Sequence, residues 1–123
     1  MEFENRLVKI LMELGIMAGG YHWKDEAEKI FRGLRIMRPQ AEEPFVGLAL
    51  MWMMAGGQEE AVKLLKDEAL SLHPESEVLK AYLALALKLA GRNHESEKIA
   101  KDLASAGKNE TAVRFAENLL REM

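Results

Sequence analysis

The chain has 123 residues and a mass of 13.9 kDa, the size of one domain with its own core and too short for two ordinary ones. Seventeen Lys and Arg against twenty Asp and Glu leave a net charge of −3, which argues against nucleic acid as a partner, and the absence of cysteine excludes disulfides, thiol nucleophiles and Cys-ligated metals. No apolar run approaches the roughly 18 residues of a membrane span, and Met1-Glu2-Phe3-Glu4 lacks the basic start of a signal peptide, so a cytoplasmic location is expected.

Ala, Leu, Glu, Lys and Met dominate, β-branched residues are scarce, and no segment alternates with period two, so the expected fold class is all-α. Seven helices are predicted. The first runs from about Asn5 to Ala18, with Leu7, Ile10, Leu11 and Leu14 on one stripe, and stops at Gly19-Gly20. Asp25 and Glu28 form a capping-box pattern that opens the second, which carries Ala27, Ile30, Phe31 and Leu34 and ends before Pro39. Pro44 suits the first turn of the third, which continues to Ala55 before Gly56-Gly57. The fourth spans Gln58 to Leu72, ahead of His73-Pro74. The fifth follows Ser76 as N-cap and ends at Ala90 before Gly91. The sixth starts near Asn93 and ends before Gly107. The seventh starts at Asn109 and carries Ala112, Val113, Phe115, Ala116, Leu119 and Leu120. Connections this short force neighbouring helices into antiparallel pairs.

The pairs repeat. Leu14-Gly15 recurs as Leu48-Ala49 and as Leu83-Ala84, at spacings of 34 and 35; Ala27 recurs as Ala61 and Ser96, and Phe31 as Leu65 and Ala100. Pro39 maps to Pro74, with one extra residue near Pro74. These offsets match the tetratricopeptide pattern, in which small residues let two helices approach and an aromatic fills the gap between repeats. The expectation is therefore a single tetratricopeptide-like domain over residues 1–123, with three degenerate repeats at about 7–40, 42–75 and 77–107 and a capping helix at about 109–122.

In such a stack the first helix of each pair lines a concave surface. The register puts Met12, Ile16, Val46, Leu50, Met53, Val78, Ala81 and Leu85 on that surface, with Lys9, Glu43 and Lys88 at its edges. The face is apolar, suited to an amphipathic helix of a protein partner and unsuited to clamping a carboxylate. Leu48-Ala49-Leu50-Met51-Trp52-Met53-Met54 holds too many large apolar residues for one stripe. The seventh helix folding back into the groove, or tight coiling of the stack around a core, would account for the same residues. A second apolar excess, Phe3, Leu7 and Ile10, points to a further partner, to self-association, or to wrapping by Phe3 and Tyr21-His22-Trp23.

Catalytic patterns are missing. His22, His73 and His94 fall in or beside predicted turns, read as solvated, and form no metal-binding pair. Glu42-Glu43, Glu59-Glu60 and Glu95-Ser96-Glu97 sit in first turns, where acids offset the helix dipole. Gly19-Gly20 and Gly56-Gly57 lack the Lys-Ser/Thr of a phosphate loop, and Asn109-Glu110-Thr111 reads as a helix cap. Neither an enzyme activity nor a cofactor is expected.

Three segments carry a resemblance: Ala27-Glu28-Lys29-Ile30-Phe31-Arg32-Gly33-Leu34-Arg35-Ile36-Met37-Arg38-Pro39; Trp52 followed by Gly56-Gly57-Gln58-Glu59-Glu60-Ala61; and Ala81-Tyr82-Leu83-Ala84-Leu85-Ala86-Leu87 before Gly91. In these the chain resembles the small tetratricopeptide-like proteins of bacterial type III secretion, the needle-subunit chaperones of the YscG/PscG kind and their Hrp relatives. The resemblance implies a cytoplasmic chaperone that keeps an aggregation-prone needle subunit monomeric by holding its apolar helix in the groove. It also implies a small helical co-chaperone on the outer face of the first repeat, where Phe3, Leu7 and Ile10 lie. A free-standing tetratricopeptide adaptor or scaffold is the alternative reading.

Overall fold

The computed structural model describes residues 24–122. All regular structure among them is helical. In chain order these are α1 (Lys24–Met37), α2 (Glu43–Met54), α3, α4 (Glu77–Leu89), α5 (Asn93–Ala106) and α6 (Glu110–Arg121). α3 is one continuous run of three segments, Gln58–Lys63, a π-helical stretch Leu64–Ala69, and Leu70–Leu72. The predicted helix over residues 5–18 lies outside the described residues, and Met12, Ile16, Phe3, Leu7 and Ile10 lie there with it. Contacts divide the chain into two compact units, Met1–Gly57 and Gln58–Met123.

Within the first unit, α1 turns Phe31 and Leu34 inward, both fully buried. α2 is apolar on every side, and Pro44, Phe45, Gly47, Leu48, Ala49, Met51 and Met53 are buried along it. The Phe31 ring lies directly against Gly47, so closely that a Cβ on Gly47 would collide with it. This close approach explains a glycine inside a helix, where backbone entropy disfavours one. The Arg35 guanidinium lies 4.6 Å from the centre of the Phe45 ring, a cation–π contact at the rim of this core. Glu28 was expected to reach back in a capping box; in the structure its Oε1 accepts from Nε and Nη2 of Arg32 at 3.1 and 2.6 Å, one helical turn on.

Both α2 and α4 end in the same way. Gly56 (φ 83°) follows α2 and Gly91 (φ 80°) follows α4, in the left-handed region that only glycine enters freely. Gly57 N–H donates to the Trp52 carbonyl at 2.7 Å and Arg92 N–H to that of Leu87 at 2.8 Å, so each end is closed by a Schellman pair of bonds.

In the second unit, α3 spaces its buried positions differently from α1 and α5. Buried positions run Phe31 and Leu34 in α1, Leu65 and Ala69 in α3, and Ala100 and Leu103 in α5. The middle pair is four residues apart and the others three, and the wider spacing coincides with the π-helical stretch Leu64–Ala69. A π turn absorbs one residue without rotating the flanking helix, because its hydrogen bonds skip five residues instead of four. Deleting exposed Lys66 should therefore convert the stretch to regular α-helix with a change of only a few degrees in Tm. Deleting exposed Lys98 from α5 should instead rotate Ala100 and Leu103 off the core and unfold the unit; thermal denaturation followed by circular dichroism distinguishes the two.

α4 and α5 pack at two small residues. Ser96 is fully buried, and its hydroxyl donates to the Ala84 carbonyl at 2.6 Å, which satisfies the one polar group at the contact. At the start of α5, Arg92 donates to Glu95 at 2.8 and 2.9 Å and to Glu59 of α3 at 3.0 Å. The hydrogen bond from Arg92 holds the Glu95 carboxyl below the usual carboxylate range, and the bond from Lys101 does the same for Glu97. Both contributions are present above the ordinary carboxylate pKa and fade as pH falls through the lowered one; they are small because the groups are solvated.

α6 packs on α5 and α4. Ala112, Ala116 and Leu119 join Ala81, Ala84, Ala100 and Leu103 in one buried cluster, with Leu85, Ile99, Ala104, Phe115 and Leu120 around it. The last helix thus covers the apolar side of α5, the position a cap would take. Among the three histidines, His94 is exposed, but His73 is only partly so and its Nε2 is enclosed, contrary to its reading as a solvated turn residue. His22 lies outside the described residues.

Candidate partner-binding surface

Two helix starts and one carboxylate build the site. Ser76 Oγ accepts from Leu79 N–H at 3.2 Å and begins α4; Asn109 Oδ1 accepts from Ala112 N–H at 2.9 Å and begins α6. Both are the caps that residue type predicted. Glu77 then ties the two starts together: its Oε1 accepts from the backbone N–H groups of Lys108 and Asn109, both at 2.7 Å. Gly107 makes this possible, because a Cβ there would lie 2.8 Å from Val113 Cγ2 and 2.9 Å from Glu77 Oε1 and would collide with the Leu103 carbonyl. Bonds to an ionised carboxylate are among the stronger ones, and this pair fixes the separation of α4 and α6 at their N-terminal ends.

That separation leaves an open notch of about 120 Å³ between the helices, lined by Val78, Ala81 and Tyr82 from α4 and Thr111, Ala112 and Phe115 from α6. The Tyr82 and Phe115 rings flank it with centroids 6.5 Å apart and planes inclined at 31°. Apolar cavities of about 150 Å³ admit a benzene-sized group, so the notch suits one aliphatic or small aromatic side chain. Beyond it on α4, Leu85 is half-buried beside α6 and Leu89 is 51% exposed. Val78, Tyr82, Leu85 and Leu89 follow one another at four, three and four residues, an apolar line along a single helix face. The line ends at the ion pair between Lys88 and Glu122, 3.5 Å long.

Of the residues assigned to the concave surface, Val78 and Ala81 line this notch and Leu85 continues its line. Ala81 is 5% exposed and belongs as much to the core that α6 closes. In the first unit, Val46 and Leu50 are half-buried one turn apart on α2, while Met53 is buried. Glu77, Tyr82, Thr111 and Phe115 were not singled out as site residues. The matched i, i+4 pairs Val78/Tyr82 and Thr111/Phe115 are the only sequence signal for them, and Glu77 has none, since its partners lie 31 and 32 residues away.

A second and larger crevice, about 660 Å³, has an apolar floor of Leu70, Leu83, Ile99 and Leu103 beneath a rim of mixed charge, including Glu75, Lys80 and Asp102. No cluster of three or more His, Asp or Glu side chains able to hold a metal ion occurs among the described residues. No helix among the described residues is long and apolar enough to cross a membrane.

The sequence model of a family described as "bacterial type III secretion protein (HrpB1_HrpK)" matches residues 1–123. A search of curated proteins found no significant match.

Proposed function

Because the chain belongs to the HrpB1_HrpK family of bacterial type III secretion proteins, we propose that it is a cytoplasmic export chaperone that holds an apolar helix of a secreted, self-assembling subunit until export. The subunit of choice is the needle subunit. On this reading residues 1–123 form one tetratricopeptide-like domain and carry no catalytic group or cofactor. The recurrence of buried positions at spacings of 34 and 35, and of a glycine-closed helix end at 35, supports the repeat architecture. A small helical co-chaperone on Phe3, Leu7 and Ile10 completes the assembly.

The observation that carries the reading is the apolar notch between α4 and α6 and the line of apolar residues leading from it along α4. A subunit that polymerises through a helix must have that helix masked before export, and an apolar groove that takes the helix's own anchors at i, i+3, i+4 and i+7 is the usual way to mask one. A general adaptor would have no reason to prefer such a helix.

The test is co-purification of the full chain with the needle-like subunit of its own secretion system. Val78→Glu and Leu50→Glu should each weaken binding by about a hundredfold, near 2.7 kcal/mol, because a carboxylate would be buried unpaired in the contact. Circular dichroism of both variants should stay helical. Ala61→Leu, at a fully buried position, should instead lower stability. Unchanged binding of both Glu variants would rule out the groove, and melting of Leu50→Glu to the extent of Ala61→Leu would make Leu50 a core residue.

A further inference from the structure

The outward side of α1 has features that the groove reading does not use. With Phe31 and Leu34 turned inward, the opposite side of the helix, at about 100° per residue, carries Lys29, Arg32, Gly33 and Ile36. Ile36 is 82% exposed, more than any other large apolar residue among the described residues, and Met37 beside it is 38% exposed. Gly33 sits among them, one turn from both Lys29 and Met37. Unlike Gly47, it is not required by its described neighbours: among the described residues a Cβ on Gly33 would meet nothing within 4 Å, and its φ does not lie in the left-handed region. A glycine in the middle of a helix destabilises it relative to alanine, so packing among the described residues does not account for Gly33. What glycine does provide is a flat spot where another backbone can come close.

Charge narrows the choice of what comes close. On the outward side itself the charged residues from 29 to 37 are Lys29 and Arg32, both cationic, in a chain whose net charge is −3. Lys29 is exposed, and the Arg32 side chain remains 62% exposed while bound to Glu28. A lipid surface would gain nothing from a missing side chain, whereas a helix crossing α1 gains a closer axis distance from it.

We propose that the outer face of α1 docks an acidic amphipathic helix of a protein partner. The helix crosses at Gly33, sets its apolar side on Ile36 and Met37, and directs Asp or Glu side chains to Lys29 and Arg32. None of these residues belongs to the groove, so the two readings stand or fall separately.

The probe is a synthetic helical peptide of about 18 residues, long enough to be helical when bound, with Leu and Ala on one side and Glu on its flanks, titrated against the full chain. Gly33→Ala should raise Tm. Gly33→Leu should fold with undiminished Tm, because its side chain enters open space, yet weaken peptide binding at least tenfold; Ile36→Glu should weaken it comparably. A lysine-flanked peptide should not bind, and Val78→Glu should leave binding of the acidic peptide unchanged. The proposal is overturned if Gly33→Leu binds as the parent does, if the lysine peptide binds equally, or if Val78→Glu abolishes binding, which would place the peptide in the groove. Ile36-dependent uptake by phosphatidylcholine vesicles containing about 30% phosphatidylglycerol would also overturn it, in favour of a lipid surface.

Discussion

Gly47→Ala should destabilise the protein by about 1–3 kcal/mol, more than its single added methyl suggests, because the new Cβ enters the space of the Phe31 ring. Phe31 is fully buried and cannot swing aside without displacing Leu34 or the apolar surface of α2. The loss should appear as a Tm shift of several degrees, by the usual conversion for a domain of this size. A second substitution tests the cause. Phe31→Leu alone should leave a cavity and cost stability, but combined with Gly47→Ala it should cost less than the sum, since the methyl then occupies vacated space. Strict additivity in the double mutant would mean that Gly47 is needed for some reason other than the ring.

Removing Asn109–Met123 should have the largest effect of all. The deletion uncovers Ala81, Ala84, Ala100 and Leu103, together with Ile99 and Leu85 at the edge of the same cluster. At about 25 cal/mol per Å² of apolar surface this amounts to several kcal/mol, a large part of the stability of an ordinary domain. The truncated chain should aggregate, as repeat arrays do when a terminal cap is lost. It should also lose partner binding, because α6 contributes Thr111, Ala112 and Phe115 to the notch. Sedimentation and a binding titration together decide the matter. A soluble truncation that binds more tightly would show α6 to be an occupant of the groove, and the capping role would be withdrawn.

Most of the helix boundaries were legible in the sequence because each depends on chemistry within a few residues of it. Ser76 and Asn109 accept from N–H groups three positions on, Gly56 and Gly91 supply the left-handed turn that closes a helix, and Pro44 occupies a first turn where its missing N–H costs nothing. The sequence by itself also determined the helical class and the family to which the chain belongs. Tertiary structure decided what depends on residues far apart. A helical pattern does not show where a turn widens; Leu65 and Ala69, both fully buried, hold the flanks, and the stretch between them takes up a π turn. Periodicity cannot orient α2, since an apolar helix presents the same surface in every direction, and only its neighbours leave Val46 and Leu50 half-exposed while burying Met53. The Glu77 clasp and the notch beside it exist because Gly107 lets two helix starts approach, a contact between residues some thirty positions apart that no local pattern encodes.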